Sequence, residues 1–122
     1  MSIKINIDSA FAQFSDTWSP RIIADLDNYH IKIVRLSGDF PWHVHMDADE
    51  MFYVLEGILR IDFREHFEDI SAGEMIVIPK GVEHRPIADR GEVKVLVIEQ
   101  ASVVNTGDGP ANEYTKAAER LS

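Results

Sequence analysis

His43 and His45 stand two residues apart, and on an extended strand two such side chains leave by the same face. Two imidazoles on one face can each offer a ring nitrogen to a single metal ion. Glu50 follows the turn Asp47-Ala48-Asp49 and opens a strand-like run in which Phe52 and Val54 share its face. His84 sits just past Pro79-Lys80-Gly81, at the start of another such run. Three neutral imidazoles and one carboxylate suit a divalent Fe, Mn, Ni, Co or Zn ion, and leave open positions on an octahedral one. Those positions accept a substrate oxygen, water or dioxygen. Burying the four together without a cation would leave unpaired polar groups at a cost of several kcal/mol. Asp47 and Asp49 read better as a solvated acidic turn than as further metal oxygens. Because the imidazoles must be deprotonated to bind, the site is expected to empty as pH falls below the free-imidazole range, near pH 6.5.

The elements that must position these groups are short. Turn residues recur at Ser37-Gly38-Asp39, Asp47-Ala48-Asp49, Glu56-Gly57, Arg64-Glu65, Ala72-Gly73, Pro79-Lys80-Gly81 and Asp89-Arg90-Gly91. Between them lie runs of strand composition at 30–36, 42–46, 51–55, 58–63, 75–78 and 93–99. Several alternate apolar and polar residues, as in Ile31-Lys32-Ile33 and Ile61-Asp62-Phe63, which buries one face and wets the other. Many short strands at this spacing predict an all-β antiparallel sandwich or barrel, not a parallel α/β sheet. The middle, residues 29–104, is the β-domain. Residues 1–28 form an N-terminal arm with one helical turn around Ser9 to Phe14. Residues 105–122 form a loop and a short helix over 113–121, capped by Asn112 and favoured by Ala117, Ala118 and Leu121.

Two segments carry a resemblance. One is Gly38-Asp39-Phe40-Pro41-Trp42-His43-Val44-His45-Met46-Asp47-Ala48-Asp49-Glu50, with Gly57 after six residues. The other is Gly73, five residues, Pro79-Lys80-Gly81, two residues, then His84. With both, the chain resembles a small single-domain cupin over about residues 29–104. The resemblance implies an antiparallel jelly-roll barrel, also called a double-stranded β-helix. It also implies His43, His45, Glu50 and His84 as the ligands of one divalent transition metal. The chain departs from the family pattern twice: four residues, not five, separate Gly38 from His43, and Ala88 stands where the second motif usually ends in Asn.

Phe40, Trp42, Met46 and Phe52 flank the ligands and are candidates for the wall of a substrate pocket, or for plain barrel core. Tyr53 and Arg85 adjoin motif residues and are expected to face away from the metal. Arg60 and Arg64 read as members of surface ion pairs, His66 as a surface residue and His30 as a structural one.

The chain has 122 residues, a formal net charge of −9 and no Cys. One domain is expected. So acidic a surface repels phosphate backbones and anionic headgroups, which removes nucleic acid and membrane surfaces as default partners. Without Cys there is no disulfide framework, thiolate ligand or nucleophilic thiol. Without a signal-like or spanning segment, a soluble cytoplasmic protein is expected. A small-molecule metalloenzyme of oxygenase or isomerase type is the leading functional reading. The alternative is a non-catalytic module that binds or senses a small ligand such as a sugar or phenolic. A metal-free, epimerase-like cupin has no need of the complete His3Glu set. No catalytic residue beyond the ligands is assigned. A two-fold homodimer is expected, with the strands near Ile22 and Ile31 as contact elements.

Overall fold

In the computed structural model, which describes residues 2–121, alternation along two long strands organises the molecule. β2 (Tyr29–Asp39) points Val34 and Leu36 into the main core and Ile33 into a second cluster on its other face. β7 (His84–Gln100) carries Val93, Val95 and Val97 on one face and pairs antiparallel with β2 along its length. β1 (Arg21–Leu26) extends the sheet beyond β2, and β3 (Glu50–Glu56) and β4 (Ile58–Phe63) both pair with β7 on its other edge. β5 (Phe67–Ser71) pairs with β4, and β6 (Met75–Ile78) with β3. The strand order β5-β4-β7-β2-β1, with β8 (Glu119–Arg120) parallel to β1, makes one curled antiparallel jelly roll whose end strands do not meet. The all-β expectation holds.

The interior is filled by Val54, Leu59, Ile61, Val93 and Val95, all fully buried. On the outer side of β1 and β2, the short helix α1 (Ile7–Phe11) seats Ala10 and Phe11 against Ile23 and Ile33. Asn6 caps it by accepting from Ser9 N–H at 2.9 Å. Ile22 is buried and Ile31 packs into that same cluster, so both are engaged within the one chain.

Four local expectations need correction. Residues 42–46 form no strand; His43 alone makes a bridge, exchanging two 3.0 Å bonds with His84. Pro41 offers no N–H there, and the Val44 and His45 carbonyls accept from Asp108 and Gly81 instead of a ladder partner. β7 does not break at Asp89-Arg90-Gly91: β2 and β7 slip register between Leu36 and Gly38, and Gly91 takes a φ of 103° in the excursion. β5, Phe67–Ser71, is a strand where the sequence pattern predicts none. Finally, no helix forms over 113–121. The Asn112 side chain accepts from the Tyr114 N–H, and Thr115 Oγ1 accepts from the Asn112 N–H, which diverts the backbone from helical bonding. Residues 119–120 then extend to pair with β1, and Arg120 joins Asp25 at 3.0 Å.

Candidate metal centre

Glu50 enters the site because β3 alternates: Glu50, Phe52 and Val54 all face inward. His84 opens β7 and is fully buried; its Nδ1–H donates to the Val82 carbonyl at 3.0 Å. His43 Nδ1–H donates likewise to the Pro41 carbonyl at 2.9 Å. With the proton assigned to Nδ1 by these carbonyls, each Nε2 presents a lone pair to the interior. His84 Nε2 then faces Glu50 Oε1 at 3.3 Å, and His45 Nε2 faces Glu50 Oε2 at 3.6 Å. In the His84 pair two acceptors are opposed, and they repel unless a cation or proton lies between them. His45 Nε2, Glu50 Oε1 and His84 Nε2 are indeed buried without a hydrogen-bond partner.

One ligand atom from each of His43, His45, Glu50 and His84 lies within 4.8 Å of all the others. Bonds of about 2.1 Å to a first-row ion separate adjacent ligands by about 3 Å and opposed ones by about 4.2 Å. The four are thus close to the spacing that one divalent ion needs and could hold it. Burial, followed by the neighbouring His84, pushes the His43 pKa down to about 3. His45 and His84 are also lowered, chiefly by burial. Neutral imidazoles, the metal-binding form, thus persist below the free-imidazole value that sets the sequence-based expectation, furthest at His43. Burial raises Glu50.

A cavity of about 50 Å³ adjoins His43 and Glu50, walled by Trp18, Val34, Leu36, Phe40, Phe52 and Val97. Of the four flanking candidates, Phe40 and Phe52 line it. Trp42 lies outside, its ring under the Arg64 guanidinium at 3.9 Å and near that of Arg85 at 5.1 Å, and Met46 is exposed. Arg60 and Arg85 pair with Asp62, and Arg64 with Glu83. Asp49 is not a ligand: it accepts from the Lys80 N–H and ties the two motif turns together. Asp47 and His66 are exposed.

Sequence reasoning missed three contributors. Lys32 and Glu99 face the same cavity and are joined Nζ to Oε1 at 2.8 Å, at 4% and 3% exposure. The inward register of Lys32 with Val34 and Leu36 was the available signal. Trp18 adopts a φ of 58°, strained for a bulky residue, and is held by its Nε1–H to the Ser37 carbonyl at 2.7 Å. The loop after β7 props the ligand segment: Asp108 N–H donates to the Val44 carbonyl, and Asp108 Oδ2 accepts from the Met46 N–H. Gly107 touches the same backbone so closely that a Cβ would stand 2.4 Å from the Val44 carbonyl oxygen.

Among known proteins, the profile of the family described as "Cupin domain" matches residues 32–99. The uncharacterized protein YdbB of Bacillus subtilis is 38% identical over 64 residues, 52% of this chain and 57% of that protein. The chain thus spans little more than half of that curated relative. A cupin-2 domain containing protein from Shewanella frigidimarina has a similar structure, with a TM-score of 0.77 and 49% identity over 79% of this chain and 93% of that one. Protein NMB1881 from Neisseria meningitidis follows, with a TM-score of 0.73 and 32% identity over 80% and 99%. Among the described residues no helix is long and apolar enough to cross a membrane. Jelly-roll strands, both motifs, the converging ligand atoms and the family profile lead to one conclusion: the chain belongs to the cupin family.

Proposed function

We propose that the protein is a metal-dependent cupin acting on a small organic molecule, with His43, His45, Glu50 and His84 holding one divalent ion. One observation carries this reading: His45 Nε2, His84 Nε2 and Glu50 Oε1 converge in the interior, buried and without a hydrogen-bond partner. Such an arrangement is costly as a structural core and natural as a coordination sphere.

A bound ion would supply Lewis acidity toward a substrate oxygen, the property shared by oxygenase and isomerase chemistry. The Pro41 and Val82 carbonyls fix the orientation of two imidazoles before any ion arrives. Phe40, Phe52 and Val97 put apolar side chains beside the ligands, which strengthens charge interactions on that side of the cavity. The surface in general is acidic, so an anionic substrate would be recognised within the cavity and not steered by the whole molecule.

The decisive experiment is metal analysis of tag-free protein, as purified and after loading at neutral pH. About one equivalent of a transition metal is expected, and less than about a tenth of an equivalent after loading overturns the reading. The identity of the ion in a purified sample follows availability as well as affinity, so Zn or Ni would not exclude Fe or Mn as the working ion. Mass spectrometry of co-purified small molecules, followed by turnover or simple retention of what is found, separates an enzyme from a binding module. We also infer a two-fold dimer through the edge of β6, whose Met75 and Val77 are exposed on one face. Sedimentation as a single 13.8 kDa species at micromolar concentration would refute it.

A further inference from the structure

The Lys32–Glu99 pair serves neither packing nor coordination. Its two groups come from β2 and β7, 67 residues apart, and meet in a cavity that His43, Glu50 and Asn105 also line. Replacing such a pair by hydrophobic residues is often neutral or stabilising, so burial alone does not explain it. The Lys32 ammonium has three donors, and its contact with Glu99 uses one of them. Glu99 Oε2 is buried with no hydrogen-bond partner. The Glu99 carboxyl neighbours that of Glu50, next to the Met51–Ile98 pair of β3 and β7. With Glu50 turned to an ion, Glu99 Oε2 still needs a donor. The cavity therefore holds unused donors, an unused acceptor and an adjoining coordination site.

Charge and size narrow what would satisfy them. The Lys32 ammonium faces the Glu99 carboxyl at 2.8 Å and is, among the described residues, the one Lys or Arg on the cavity wall. A divalent ion with Glu50 and three neutral imidazoles retains one positive charge, which calls for a monoanion. A cavity of about 50 Å³ exceeds the roughly 10–15 Å³ a water needs and falls short of the roughly 150 Å³ that holds benzene. The occupant has only a few heavy atoms.

We propose that Lys32 and Glu99 form the polar half of the substrate site and that the substrate is a small monoanionic carboxylate bearing a hydroxyl. The Lys32 ammonium donates to the carboxylate, and Glu99 Oε2 accepts from the hydroxyl. This assignment rests on the metal-site reading and adds the substrate class to it. Lys32 and Glu99 are binding residues here, not ligands of the ion.

The test uses Co(II)-loaded full-length protein titrated with glycolate, followed by the visible spectrum of the ion. The double variant Lys32→Met/Glu99→Gln removes both charges together and leaves no lone buried ion. It is expected to keep its cobalt and to bind glycolate about tenfold more weakly, the loss of one charge-assisted hydrogen bond. A weakening below about fivefold, with cobalt retained, overturns the proposal and leaves the metal site standing. Wild-type protein that takes up no cobalt overturns both, and the metal assay tells the two failures apart. Should the double variant not fold, wild-type protein decides: glycolate must bind more tightly than uncharged ethane-1,2-diol, and equal affinities overturn the proposal.

Discussion

β2 has two faces, and they are finished differently. On the outer face α1 closes over Ile23 and Ile33 with Phe11, and the polar groups around it are used. Arg35 donates to the Phe11 and Phe14 carbonyls at 2.8 and 3.0 Å and pairs with Glu92 at 2.7 Å, while its guanidinium covers the Phe11 and Phe14 rings. The inner face ends in Lys32 and looks onto the ligand cluster. Among the described residues six buried side-chain atoms lack a partner, and four of them belong to His45, Glu50, His84 and Glu99. A satisfied face does structural service. An unsatisfied one, in a fold otherwise well packed, marks where something else binds.

That contrast can be broken by experiment. Phe11→Ala is expected to lower the unfolding free energy by about 3–5 kcal/mol, read from urea melts, with unchanged metal content per folded molecule. Glu50→Ala should do the reverse. Metal affinity falls by more than about 100-fold, beyond what loss of a supporting contact costs, while the metal-free protein melts no lower than wild type because two opposed acceptors are relieved. A melting loss equal to that of Phe11→Ala would erase the distinction between the faces.

Gly107→Ala sharpens it from a distance. The added Cβ must displace the Val44 backbone, so metal affinity should fall about tenfold without contact between residue 107 and the ion. Equilibrium dialysis checks this, and an unchanged affinity would show that the ligand loop is not held by the C-terminal segment.

The smallest effect is in pH. The three site histidines bind protons less readily folded than unfolded, so between about 3, for His43, and their usual 6.5 stability rises with pH. Glu99, pushed up to about 8 by burial and then by Glu50, binds its proton more readily folded, and its contribution is lost as pH rises from 4.5 through 8. Below 6.5 the three lowered imidazoles act against the two raised carboxyls of Glu50 and Glu99; above it only the carboxyl effect remains. The metal-free melting temperature should therefore peak near pH 6.5. A steady rise through pH 8 would contradict the Glu99 assignment.

What the sequence revealed follows from what is local. β4 and β6 are legible to the residue, since alternation and a flanking turn define each. The ligand residues are legible because motif spacing encodes the turns that bring them together, even though 42–46 is irregular where a strand was expected. Lys32 and Glu99 are not legible as a pair, for nothing local links them. The tail was misread because Ala117, Ala118 and Leu121 suit a helix in isolation, whereas pairing with β1 and the side-chain bonds of Asn112 and Thr115 decide its course.

β7 would span about 55 Å if straight, yet its first residue, His84, and Glu99 near its end both reach Glu50. Closing a strand curled so far requires its pairing with both β2 and β3, so the pocket depends on contacts distant in sequence. Pairings this distant in sequence place folding in the millisecond-to-second range. An ion cannot seed such a process as it does in a zinc finger, because its binding place exists only once the search is over. An ion bound there would leave its imprint on the reverse step, slowing unfolding with the folding rate unchanged.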